Sequence, residues 1–254
     1  MPSHDSNKGA KRAREAREAL GIDPAAPLND LLTTVEQDVG VPVVIRAMDD
    51  EVAGAYWHDG ERRLIHVNGT QGHVRQRFTL AHEAGHAWLE HDGGVPIDKV
   101  QTLHGKTTSP VEIQANSFAA EFLVPRPGLE EVITHEPDLD VLVKVAAHYR
   151  VSAPMVLIRF ETCGLVSEGR AARLRDEIEE NHHLDRKAQL KLDVPRDRLA
   201  KIPELPYLSP ALAGSALAAS LNGGASVAQV AEVAGVPEEK LTPALEGLSA
   251  PRRR

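Results

Sequence analysis

The chain has 254 residues, 42% hydrophobic and 26% charged, the balance of a soluble globular protein rather than a disordered one. Its formal net charge of −8 argues against broad binding to nucleic acid, whose phosphates demand a concentrated positive surface. Cys163 is the only cysteine, which excludes an intramolecular disulfide and a cysteine-based zinc ribbon; any metal must be held by histidines and carboxylates.

The N-terminus, MPSHDSNKGAKRAREAREALG, is basic but lacks the apolar stretch of a secretory signal, and no run of about 18 apolar residues occurs in the chain. A cytoplasmic location without membrane contact is expected. The basic clusters at 11–17 and 252–254 lie near the chain ends and read as solvated, so direct nucleic-acid binding is not expected. A helix over 10–20 should end at Gly21, and a second over 28–39 at Gly40. The period then changes to that of strands at 41–47, 51–57 and 63–68, the last two joined by a turn containing Asp59-Gly60.

A small antiparallel sheet is therefore expected directly before a helix over 71–90. A polar loop follows, then a helix from Ser109, with Pro110 in the first turn where its missing N–H costs nothing, to about Leu123. Further helices are expected over 128–135, 139–149 and 153–163. From Gly164 the composition becomes charged and proline-punctuated, and from 206 it is alanine-rich. The expected fold class is α+β: a small antiparallel sheet packed on a helical core, with an additional, mainly helical C-terminal region. The expected division is 1–168 as the main domain, 169–205 as a charged linker or helical arm, and 206–254 as a small helical region.

The stretch LAHEAGHAWLEH, residues 80–91, carries the chemistry. Residues four apart on a helix lie about 40° apart in projection, so His82 and His86 can bind one ion. Glu83 lies about 100° round from His82, badly placed to chelate with the histidines but able to take a proton from a water that zinc has acidified. Phe78, Ala81, Gly85, Trp88 and Leu89 form an apolar stripe, so the helix is a buried one, and Gly85 suggests close approach of another element.

A catalytic zinc keeps three protein ligands and a water, and the next helix offers Glu112 as the third. Asn116, one turn later, is placed to orient a ligating histidine. A second reading of Glu112 stays open, because Ser109-x-x-Glu112 is also a capping box. Glu121, about 180° round from Glu112, should face solvent.

With these residues in place the sequence resembles the ImmA/IrrE-type metallopeptidases. The resemblance rests on VNGTQGHVRQRFTLAHEAGHAWLEH (67–91), EIQANSFAAEFLVP (112–125) and VAAHYRVSAPMVLIRFETCGLVS (145–167), and covers roughly 10–168. It implies a cytosolic, zincin-like, gluzincin-type peptidase with His82, His86 and Glu112 as ligands of one Zn2+ or another divalent metal, and Glu83 as base. The implied substrate is a helix-turn-helix repressor, cut to release stress-response or mobile-element genes. The sequence departs from many relatives in the position of the histidine after the motif, and His91 reads as a helix-end residue rather than a ligand.

On this reading an exposed edge strand, 63–68 or 52–57, holds the substrate in extended form. Tyr149, His148, His104 and Tyr56 are candidates to stabilise an oxyanion. In the tail, 226–245 has the spacing of a helix-turn-helix, but Glu238 and Glu239 at the start of its second helix favour protein docking or dimerisation over DNA reading. The alternative function is a non-proteolytic regulator in which zinc staples two helices and the tail binds a partner or DNA.

Overall fold

The computed structural model of the chain describes residues 3–91, 98–99, 107–193, 199, 207–234 and 238–239. Helix α1 (His4–Ala19) starts earlier than expected because Ser3 accepts a hydrogen bond from the Ser6 amide and caps it. A short α2 (Leu31–Thr33), capped by Asp30, runs into a π-helical turn at Thr34–Val39. Strands β1 (Val43–Arg46), β2 (Val52–His58) and β3 (Arg63–Asn68) follow. The β2–β3 turn is held by Asp59, whose Oδ1 accepts from the amides of Glu61 and Arg62.

The motif helix α3 (His73–Trp88) comes next, then the two-residue β4 (Asp98–Lys99) and α4 (Pro110–Leu123). After α5 (Arg126–Val132), α6 (Leu139–Tyr149) and α7 (Ala153–Cys163) span the expected residues. Each begins at a side-chain cap: Asp138 accepts from the Val141 amide and Ser152 from that of Met155.

The fold class is α+β, and the β2–β3 hairpin is antiparallel. The sheet as a whole is mixed, in the order β4-β2-β3-β1-β5 with β5 at Tyr207–Leu208, because β1 pairs with β3 in parallel, Val43 opposite Ile65. Asn68 at the end of β3 explains why. Its amide donates to the carbonyls of Met48, Asp49 and Val52, so the connection from β1 to β2 is tied over the end of β3 and leaves room for β3 between them. Alternation of apolar residues identifies strands, not their neighbours.

Helix α4 is the centre of the helical layer. Ala115, Phe118, Ala119, Phe122 and Leu123 are buried, and α3 and α1 pack on it from different sides. Covering on more than one side overturns the expectation for Glu121. It is 2% exposed, with Oε2 accepting from Arg159 Nη2 at 2.6 Å and Oε1 3.5 Å from Arg14 Nη1. A helical wheel drawn from one buried stripe cannot register a second packed face.

Residues 168–189 form α8 (Glu168–Glu179) and α9 (His182–Gln189). Ala171 and Leu174 of α8 join the main core, and Arg186 of α9 pairs with Asp140 of α6. Strand β5 (Tyr207–Leu208) lines the far edge of β1, and Tyr207 Oη donates to Glu36 Oε2 at 2.6 Å. Helices α10 (Pro210–Leu221) and α11 (Val227–Ala234) follow. Of the second tail helix expected from 237, only Glu238 and Glu239 are described, and they are helical. The basic cluster at 252–254 lies outside the described residues. Among the described residues no single helix is long and apolar enough to cross a membrane.

Candidate metal centre

The three residues expected to share an ion meet in the structure. One ligand atom from each of His82, His86 and Glu112 lies within 4.8 Å of the others. His82 Nε2 is 3.0 Å from His86 Nε2 and 3.2 Å from Glu112 Oε2, and His86 Nε2 is 3.7 Å from Glu112 Oε1. The two histidines share a face because they are one helical turn apart on α3; Glu112 reaches them from the first turn of α4.

The capping-box alternative for Glu112 is not formed. Ser109 makes no side-chain cap, and its own amide donates to Thr107 Oγ1 at 3.2 Å. Burial alone would raise the Glu112 pKa, but the facing imidazoles of His82 and His86 outweigh it and hold the carboxyl well below the usual carboxylate range. The donor set, two imidazoles and one carboxylate with their donor atoms converging, fits a divalent cation.

The far side of each imidazole is also engaged. His82 Nδ1 lies 3.0 Å from Asn116 Oδ1, the contact expected from the Glu112-to-Asn116 spacing, and leaves Nε2 for the shared centre. His86 Nδ1 lies 3.0 Å from Nδ1 of His91, which is not one of the three clustered ligands. Burial, reinforced by the neighbouring His86, pushes the His91 pKa below that of an ordinary imidazole. Reading His91 as a helix-end residue missed this contact.

A sequence model described as the IrrE N-terminal-like domain, from a peptidase family, matches residues 36–161. The chain belongs to the IrrE-type metallopeptidase family. Two proteins named radiation response metalloprotease IrrE are similar to it. The one from Deinococcus radiodurans is 36% identical over 107 residues, covering 40% of this chain and 33% of that protein. The one from Deinococcus deserti is 29% identical over 150 residues, covering 58% and 52%. The chain thus spans between a third and about half the length of these relatives. Membership of the family implies a divalent metal, and the His82, His86 and Glu112 cluster lies inside the matched region.

In this IrrE-type domain Glu83 is fully buried beside the cluster and faces strand β2. A Cβ added at Gly54 would lie 2.9 Å from Glu83 Oε1, 2.5 Å from Thr79 Cγ2 and 2.7 Å from the His66 carbonyl oxygen. The absence of a side chain at Gly54 therefore lets β2 approach α3 where Glu83 sits. Gly54→Ala must push the strand or the carboxylate aside. The variant is expected to bind metal like the parent, to lose about 1–3 kcal/mol of stability, and to cleave more slowly. Unfolding, metal content and turnover measured together check this; parental turnover would show that β2 does not set the position of Glu83.

Gly85 plays a similar part against α4, where an added Cβ would lie 2.9 Å from Phe118 Cδ1; this is the close approach that the glycine in the motif suggested. Of the two candidate edge strands, 63–68 is excluded because β3 lies between β2 and β1. Strand β2 is not a free edge at Val52 and Gly54 either, because β4 pairs with it there on the side away from β3. Among the oxyanion candidates, Tyr149 Oη donates to the Ala25 carbonyl at 2.9 Å and serves packing there. His148 is exposed on the last turn of α6, and Tyr56 is buried in β2. His104 lies outside the described residues.

Proposed function

We propose that this protein is a zinc-dependent, site-specific endopeptidase of the cytoplasm that cleaves a helix-turn-helix transcriptional repressor. The observation that carries the reading is the burial of Glu83 next to the converging His82, His86 and Glu112. His82, His86 and Glu112 would hold a divalent cation, which would supply Lewis acidity at the centre. Glu83, one residue along α3, then takes the proton of the attacking water and returns it to the leaving amine. His82 and His86 hold their positions through contacts on the far sides of their rings.

The same burial weighs against a zinc that only staples helices. A fourth ionisable group, fully buried one residue along the same helix, carries a desolvation cost for which a structural site has no use. Residues 55–58 of β2, which β4 does not pair with, support binding of an extended peptide by strand addition. The names of the two Deinococcus relatives support proteolysis. The test is incubation of the metal-loaded protein with helix-turn-helix repressors from its own genome, beginning with any encoded beside it. Specific fragments that vanish with a chelator support the reading. Binding of repressor without cleavage, at full metal occupancy, would favour the regulator instead.

We also assign the peptidase unit to residues 1–168, with an arm at 169–205 and a small helical region at 206–254 that docks a partner protein rather than DNA. A chain ended at 168 should keep the metal but melt below one ended at 193. The shorter form loses Ala171 and Leu174 from the core, and a buried leucine alone contributes about 1.5–3 kcal/mol. Equal melting temperatures would show that α8 contributes no cover, and a folded truncation without metal affinity would overturn the boundary.

A further inference from the structure

The first turn of α1 is linked to the metal centre by side chains that the proposed reaction does not use. We propose that His91, Gln114 and Asp5 form a hydrogen-bond chain that orients His86 and fixes its tautomer, making α1 a positioning element of the centre. This rests on the metal reading above.

Each contact lies within hydrogen-bond distance. His86 Nδ1 is 3.0 Å from His91 Nδ1, and His91 Nε2 is 3.2 Å from Gln114 Oε1. Gln114 Nε2 donates to Asp5 Oδ1 at 2.8 Å. With neutral rings, the protons can be arranged in one way. A carboxylate only accepts, so Gln114 turns its amide nitrogen to Asp5 and its carbonyl oxygen to His91. That oxygen also only accepts, so His91 carries its proton on Nε2 and offers a lone pair at Nδ1. His86 must then place its own proton on Nδ1 and donate to His91. Its Nε2, facing His82 and Glu112, is left with the lone pair that a metal requires.

Helix α1 is built to hold this link. A Cβ on Gly9 would fall 2.1 Å from the carbonyl oxygen of Gln114, so the helices touch there only because residue 9 has no side chain. Ser117 Oγ donates to the Ser6 carbonyl at 2.6 Å, and Arg12 Nη2 donates to the Trp88 carbonyl at 3.1 Å, where α3 ends ahead of His91. Gln114 is 6% exposed, so little water competes for its amide. The family match begins at residue 36, and α1 lies before it. The carboxylate end of the chain is therefore supplied from outside the matched domain.

Partners of this kind commonly contribute 10- to 100-fold in metal affinity. The test uses the full chain, with Zn2+ and Co2+ affinities measured by competition with a chromophoric chelator. His91→Ala and Asp5→Ala should each weaken binding about 10- to 100-fold. His91→Gln and Asp5→Asn keep an acceptor at each point and should recover most of it. A long-range 1H–15N spectrum of the zinc-loaded parent should show His86 protonated at Nδ1 and His91 at Nε2, a readout that does not depend on any variant folding. Unchanged affinity in both alanine variants, or His91 protonated at Nδ1, overturns the proposal while the metal reading stands. A parent that binds neither metal removes both.

Discussion

Glu83→Gln is expected to keep its metal and its fold while cleavage falls by about 10²- to 10⁴-fold, the usual contribution of a general base. Glu83 follows His82 on α3, but its carboxylate is turned towards Gly54 of β2, and it is not one of the three clustered donors. Glutamine has the same length and shape, so β2 and α3 need not move. His82→Ala removes a donor from the centre and should lose metal and activity together. The two variants must therefore differ in a metal assay and agree in a cleavage assay. Parental cleavage by Glu83→Gln would refute the base assignment, and loss of metal would make Glu83 part of the binding site.

Arg159→Leu is expected to cost about 3–5 kcal/mol of folding stability, the range for removing one member of a buried ion pair. Arg159 and Glu121 are 2.6 Å apart, and Arg159 also donates to the Val124 carbonyl at the end of α4. The variant leaves the carboxylate of Glu121 inside the protein with Arg14, itself half-exposed, as its nearest cation. Replacing both members with apolar residues should cost less than the single change, because no buried charge is then left behind. Urea unfolding of the two single variants and the double variant measures this coupling. A loss below about 1 kcal/mol in Arg159→Leu would mean that water reaches Glu121.

The sequence reveals local features of this fold more readily than relations between distant elements. The caps Asp138 and Ser152 mark where α6 and α7 begin, because a cap and its amide are three residues apart. His82 and His86 are legible for the same reason, since one helical turn fixes their relation, and so is the relation of Glu112 to Asn116. The parallel pairing of β1 with β3 is not, because it depends on Asn68 bonding to residues sixteen to twenty positions away. Glu121 reads as exposed until α7 supplies Arg159, 38 residues later. His91 lies just beyond α3, where helical spacing no longer says which way a ring points; its role needs Gln114 from α4 and Asp5 from α1. A polar residue at 114 among apolar neighbours was the signal available, and it gains meaning only once α1 is docked.

Helix α4 serves several neighbours at once: Glu112 faces both histidines, Gln114 meets His91, Asn116 holds His82, and Phe118 fills the space beside Gly85. Each helical residue adds 1.5 Å of rise and 100° of rotation. One residue inserted after Ile113 would leave Glu112 in place and swing the other three off their partners together. The length of this segment is therefore fixed, and insertions or deletions are tolerable only outside 112–118.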